Sequence, residues 1–183
     1  CSPDEVIVTA GSTEALNLSL RAVTKPGDVV AVESPGCYEM LEALEANHLH
    51  AVEIPRAPEG GIDLDLLTRA ALHHRIAALM IEVTCHNPLG DCVADARKIE
   101  IVRWAAAHNV PIIEGDVFGD LLFSGARPRS LKSYDPTGIV LHCGSLAHHV
   151  APGFNLGWSH AGRWRDEILR LKSITSVAMA GLP

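Results

Sequence analysis

The sequence predicts an α/β fold: a three-layer sandwich with a mostly parallel central sheet. Three observations predict it. Short apolar runs alternate along the chain with stretches whose apolar residues recur at helical spacing, the order that strand–helix units require. The run from Ile76 to Val83 is long and dominated by apolar residues, as expected of a central strand covered on both faces. The residues with chemical character (Gly11-Ser12-Thr13, Asn87, Asp116 and Ser145 to His149) all fall just after apolar runs. Open α/β sheets bind ligands at the carboxyl ends of their strands.

Val6-Ile7-Val8 reads as the first strand. A turn over Ala10 to Glu14 leads into a helix with Ala15, Leu16, Leu18, Leu20 and Ala22 on its apolar face. Lys25-Pro26-Gly27 ends that helix. Its amino end offers free N–H groups to an anion such as phosphate, although an ordinary capped helix has the same turn. Asp28 to Val32 is the next strand, Ser34-Pro35-Gly36 a turn, and Tyr38 to Asn47 a helix. His50 to Ile54 is a strand, and Ala57 to Gly61 a loop. Asp63 caps a helix over Leu64 to His73, where His73-His74 suits the negative end of the helix dipole.

After the Ile76 to Val83 strand, the loop Thr84 to Cys92 is built on His86-Asn87-Pro88-Leu89-Gly90. Ala94 to His108 is an amphipathic helix with Trp104 on its apolar side. Val110 to Ile113 is a strand, with Glu114-Gly115-Asp116 at its carboxyl end. Gly138 to Leu141 is a buried strand that delivers a polar loop holding Ser145, His148 and His149. A short run ends at Gly157-Trp158, with Trp158 packing under the loop, and Arg163 to Val177 is the last helix.

The 183 residues fit one domain with a real core, taken here as residues 1–183. A hydrophobic content of 48% excludes a disordered chain. The net charge of -7 argues against nucleic acid as a direct partner. No apolar run reaches membrane-spanning length, so no membrane partner is expected. The five cysteines, Cys1, Cys37, Cys85, Cys92 and Cys143, are odd in number and scattered. That pattern predicts reduced thiols and a cytoplasmic protein. Cys1-Ser2-Pro3-Asp4 stands directly before a strand and Pro183 directly after a helical pattern; both ends read as cuts in a longer protein.

Five stretches carry a family resemblance: Thr9 to Val23 (TAGSTEALNLSLRAV), Pro26 to Gly36 (PGDVVAVESPG), His86 to Gly90 (HNPLG), Val110 to Asp135 (VPIIEGDVFGDLLFSGARPRSLKSYD) and Gly144 to Trp158 (GSLAHHVAPGFNLGW). Their order and spacing resemble the large domain of fold-type I pyridoxal-phosphate enzymes, the class I/II aminotransferases. Within that superfamily the chain is most similar to the aminotransferase-like domain of MocR-type regulators of the GntR family. The resemblance implies a cofactor phosphate at Gly11, Ser12, Thr13 and Ser145. It also implies Asn87 at the ring hydroxyl, a homodimeric parent, and a DNA-binding domain ahead of this segment.

Against that family the sequence departs at the positions that carry the chemistry. The Schiff-base lysine position is His148, and Ala147 precedes it. The position of the aspartate that pairs with the pyridine nitrogen is Gly115, with Asp116 beside it as a stand-in that needs a one-residue shift. The tyrosine position is Phe118, the phosphate-arginine position is Asn155, and the stacking aromatic aligns with Cys37, next to Tyr38. Imidazole cannot form the Schiff base that anchors the cofactor. The four lysines, Lys25, Lys98, Lys132 and Lys172, lie elsewhere in the sequence.

The resulting expectation is a catalytically inactive domain that lacks covalent pyridoxal phosphate and serves effector binding or dimerisation. Its ligand would be an amino-acid-like molecule or loosely held pyridoxal phosphate on the remaining Ser12, Thr13, Asn87, Asp116 and Ser145. Two alternatives stay open. One is an active aminotransferase acting on an amino acid. The other is a metal site from Cys37, Cys85, His86, Cys143, His148 and His149, with His86, Cys143 and His148 the main candidates and zinc the natural ion.

Overall fold

A computed structural model of the chain describes residues 2–123, 125–151 and 153–176. The expectations for Cys1, Pro152 and Val177 lie outside the described residues. The strands are β1 (Val6–Thr9), β2 (Val29–Ser34), β3 (His50–Pro55), β4 (Ile76–Glu82), β5 (Ile112–Asp116), β6 (Val140–Ser145) and β7 (Gly157–His160). The helices are α1 (Gly11–Val23), α2 (Tyr38–Ala46), α3 (Leu64–His73), α4 (Asp95–His108) and α5 (Arg165–Thr175). The seven strands form one sheet in the order β1-β7-β6-β5-β4-β2-β3. Neighbours from β6 through to β3 are parallel, and β7 runs antiparallel to both β1 and β6.

Side-chain alternation along the strands divides the core into two faces. On β4, Leu79 and Ile81 point to one side and pack with Leu67 of α3 and Ile101, Val102 and Ala105 of α4. Ala78 and Met80 point to the other, against Ala15 and Leu20 of α1 and Met40, Ala43 and Leu44 of α2. Leu18 of α1, Leu141 of β6 and Ile168 and Leu171 of α5 extend that second face. The expected three layers are therefore present: α3 and α4, the sheet, and α1, α2 and α5. Trp104 ties α4 to α3 through its indole N–H, which donates to the Thr68 hydroxyl at 2.8 Å.

The strands that carry the site run further than the apolar pattern indicated. β5 continues through Glu114-Gly115-Asp116, and β6 continues through Ser145. Backbone pairing of Gly115 with Cys143 and of Asp116 with Gly144 sustains the ladder where side-chain hydrophobicity stops. Glu114, fully buried, is satisfied by the N–H groups of Leu131 (2.7 Å) and Lys132 (3.1 Å), as a buried acid must be. Trp158 lies over Gly144, where a Cβ would overlap the indole. Helix α5 starts at Arg165, after a single 3-10 turn over Gly162–Trp164.

Asp135 fixes the entry into β6. Its carboxylate accepts from the N–H groups of Thr137 (3.0 Å), Ile139 (3.0 Å) and Val140 (2.8 Å), and from the Lys132 ammonium (2.9 Å). Burial opposes its ionisation, but the Val140 and Ile139 N–H groups and Lys132 outweigh burial and hold the carboxyl at about 2. A lowered carboxyl contributes stability that is complete above its unfolded value and lost as pH falls through the folded one. Asp135 should therefore contribute a stability loss between about pH 4 and about pH 2. Asp135→Asn should flatten that part of the curve and cost about 2 kcal/mol at neutral pH, both measurable by urea unfolding across pH.

Candidate functional site

A cavity of about 160 Å³ opens at the carboxyl ends of β4, β5 and β6, on the side covered by α1 and α2. Ser12, Thr13 and Leu16 from the start of α1 form one wall. Cys37, Glu39 and Met40 at the start of α2 form another. The floor is Glu82 of β4, Gly115 of β5 and Cys143 of β6, and Asn87, Val117, Phe118 and His148 close the rim. Sequence reasoning had singled out eight of these residues, and the fold brings them to one place because parallel strands end together.

Strand alternation decides which polar residues face the cavity. Gly115 and Val117 face it, and Asp116 between them points to the opposite side of the sheet. This corrects the expectation that Asp116 belongs to the binding residues. Its carboxylate instead accepts from His142 Nε2 (2.8 Å) and from Arg127 (2.9 Å). Burial opposes ionisation of Asp116, but the bond and charge of His142, followed by Arg127, outweigh it and hold the carboxyl below its usual range. Burial likewise opposes charge on His142, and Asp116 outweighs it, raising the imidazole above its usual range.

Gly11 and Ser145 stand beside the cavity and do not line it. Gly11 takes a positive φ of 78° and lies directly against the Asn155 amide, with no room for a side chain. The Ser145 hydroxyl donates to the Leu156 carbonyl at 3.3 Å and accepts from the Ala147 N–H at 3.1 Å. Tyr38, next to Cys37, is exposed and bonded to Glu42, so no aromatic side chain comes from that loop. His148 is exposed at the rim, with its ring 4.9 Å from that of Phe118 in a tilted arrangement. None of the four lysines lines the cavity. Lys98 donates to the Arg129 carbonyl (2.6 Å) and Lys132 to Asp135 (2.9 Å).

The cavity wall carries two carboxyl groups, Glu39 and Glu82, and neither arginine nor lysine. Burial pushes Glu82 up to about 7, against the pull of the Asn87 N–H. Cys37 donates to Glu39 at 2.7 Å, which holds Glu39 below its usual range. Burial, reinforced by Glu39, pushes the Cys37 thiol up to about 12, and burial does the same to Cys143. Behind Glu82, an adjoining cavity of about 210 Å³ is lined by Glu33, Pro35, Glu53 and His86. There Arg56 bridges Glu33 and Asp91, and burial holds His86 down at about 4.

Among the described residues, no three His, Cys, Asp or Glu side chains are grouped to hold a metal ion. His86 sits in the adjoining cavity, 3.8 Å from Glu33, whereas Cys143 and His148 belong to the first cavity. Cys85 lies 4.0 Å from Cys92, in the loop between β4 and α4.

Glu82 and Glu33 were missed in the sequence, although Glu82 interrupts the apolar run Ile76 to Val83 and Glu33 directly continues the run that ends at Val32. That interruption was the available signal, because a buried strand tolerates an acid only where something satisfies it. Arg127 and His142 were also missed, and no local motif marks them.

The strand order, the helices on both faces and a cavity at the carboxyl ends of the strands define the fold-type I aminotransferase class. Comparison with known proteins gives the family: the chain belongs to the class I and II aminotransferases, whose sequence model matches residues 1–170. It is 40% identical over 177 residues to the uncharacterized HTH-type transcriptional regulator YdcR of Escherichia coli K12, covering 97% of this chain and 38% of that protein. It is 29% identical over 159 residues to aromatic-amino-acid aminotransferase 1 of Thermococcus litoralis, covering 84% of this chain and 38% of that one. A crystal structure of an archaeal alanine:glyoxylate aminotransferase superimposes with a TM-score of 0.88 at 27% identity, over 97% of this chain and 45% of that one. The chain thus spans less than half the length of these relatives.

Asp116 binds on the far face of the sheet, so its loss should separate stability from site chemistry. Asp116→Asn leaves Arg127 and the buried His142 without their carboxylate. It should lower stability by about 2–4 kcal/mol in denaturant unfolding. Ligand affinity in the cavity should stay within about twofold, a change worth less than 0.5 kcal/mol. A large affinity loss without destabilisation would place Asp116 in the binding wall after all.

Proposed function

We propose that this chain is the aminotransferase-like domain of a cytoplasmic transcriptional regulator of the MocR type. In this reading it is catalytically inactive, holds no covalent pyridoxal phosphate, and serves small-molecule binding and association of two copies. The similarity to HTH-type regulators supports the regulatory half of the reading. DNA contact would belong to a separate segment of the parent protein, since this domain carries a net charge of -7.

One observation carries the loss of covalent chemistry: His148 stands at the cavity rim and all four lysines are elsewhere. The pyridoxal-phosphate aldehyde needs a primary amine. The wall also offers no arginine or lysine for the phosphate dianion, and Asn155 lies against Gly11 at the amino end of α1. The residues present therefore do not fit a covalently held pyridoxal phosphate.

Borohydride trapping tests this reading. The chain incubated with excess pyridoxal phosphate, reduced and weighed by intact-mass spectrometry should gain no phosphopyridoxyl increment at a specific site. A single modified lysine in the digest, with an absorbance band lost on reduction, would overturn it and favour an active aminotransferase. His148→Lys supplies the missing amine and should gain a trapped adduct at position 148.

A further inference from the structure

Glu82 of β4 and Gly115 of β5 are paired in register, so their side-chain positions face the cavity side by side. A Cβ built on Gly115 would stand 3.2 Å from Glu82 Cγ and 3.4 Å from Glu82 Oε1. An aspartate at 115 would compete with Glu82 for the same space. Glu82 is 5% exposed. Its Oε2 accepts the Asn87 N–H at 3.1 Å, while among the described residues Oε1 accepts no hydrogen bond. That oxygen is open to the cavity and free to accept from a bound molecule, and it faces the space that Gly115 vacates.

The rest of the wall indicates what that donor belongs to. Leu16, Met40, Val117 and Phe118 give apolar surface suited to a flat ring. Asn87 supplies an amide at the edge, and no cationic Arg or Lys is present to receive phosphate. Glu39, the Cys37 and Cys143 thiols and the His148 imidazole share the cavity wall with Glu82; Glu33, paired with Arg56, and His86 stand in the adjoining cavity, and Asp116 points to the far face of the sheet. With two carboxylates in the wall and no arginine or lysine, the site favours a positive ligand.

We propose that Glu82 is the binding carboxylate of this cavity, replacing from the neighbouring strand the acid missing at Gly115, and that it selects a small ring ligand with a protonated nitrogen and no phosphate. This rests on the reading above that no covalent cofactor occupies the cavity. The N–H of the ring cation donates to Glu82 Oε1, and burial of the pair strengthens that bond relative to water. With its carboxyl at about 7, Glu82 is poised to share a proton with such a nitrogen near neutral pH.

The test uses the full 183-residue chain and 3-hydroxypyridine as the probe. Its ultraviolet spectrum distinguishes the protonated ring from the neutral one. Bound to the wild-type chain, the probe should stay protonated to a pH about one unit higher than in buffer, a tenfold shift in its proton equilibrium. Glu82→Gln should abolish that shift and weaken binding about tenfold. Glu82→Ala combined with Gly115→Asp returns the acid to β5 and should restore both.

An unshifted probe in the wild type, or an equal shift in Glu82→Gln, would overturn the proposal and leave Glu82 a structural acid. Should Glu82→Gln not fold, nitrogen-15 NMR of labelled probe on the wild type decides: a pyridinium shift at neutral pH supports the pairing and a free-pyridine shift overturns it. Competition by inorganic phosphate would overturn the phosphate-free selectivity. A borohydride-trapped lysine adduct would sink the underlying reading, whereas no adduct and no probe binding would sink this inference alone.

Discussion

Hydrogen bonds hold Glu82, Gly115 and Cys143 abreast on three neighbouring parallel strands, and the cavity exists because this row ends together. A strand has a side-chain period of two, so a slip of one residue in β5 would turn Asp116 into the cavity and Gly115 out of it. Apolar residues lower in the same strands prevent the slip. Ile113 packs with Met80 and Cys143 against α1 and α2, and Ile112 packs with Leu79 and Ile81 against α4. Packing far from the cavity thus decides which polar groups reach it.

The same register concentrates negative charge where a water-filled loop would have dispersed it. Glu33 and Glu82 stand on adjacent strands, and the Glu82 N–H donates to Glu33 at 3.0 Å. Burial raises both carboxyls to about 7. Arg56 answers Glu33 on the inner side, and no equivalent cation lines the cavity beside Glu82. One acid is therefore compensated within the protein, while the other is left facing an open space. The two acids thus differ in their surroundings, an ion pair for Glu33 and an open cavity wall for Glu82.

Much of this was legible in the sequence, and the limits have physical causes. Apolar periodicity located the five α-helices of the described residues and strands β1 to β6, because burial of one stripe or face is what it records; it placed the last strand as ending at Gly157-Trp158, where β7 in fact begins, because only alternate residues of that short strand are buried. It ended β5 and β6 too early, because residues such as Glu114 and Gly144 stay in the ladder through backbone bonds that leave no hydrophobic trace. Family motifs marked Asn87, Gly115, Phe118 and His148, all now in one cavity wall. They gave no account of Glu82, since its partner in space is a strand neighbour 33 positions away in register. Asp116 was misread because its motif neighbours do face the site and only the strand direction separates it from them.

Trp158 lying flat on Gly144 has a consequence for how such a chain can change over time. The indole seals β6 three residues before Ala147, so the strand's path no longer depends on what stands at the rim. Ala147, His148 and Asn155 lie beyond that seal, where replacements meet solvent or one another more than the core. Architecture and chemistry are thereby assigned to separate residues along one short stretch. Chemical identity at the rim can therefore change without disturbing the fold, so the shape of the domain and the chemistry at its edge can follow separate histories.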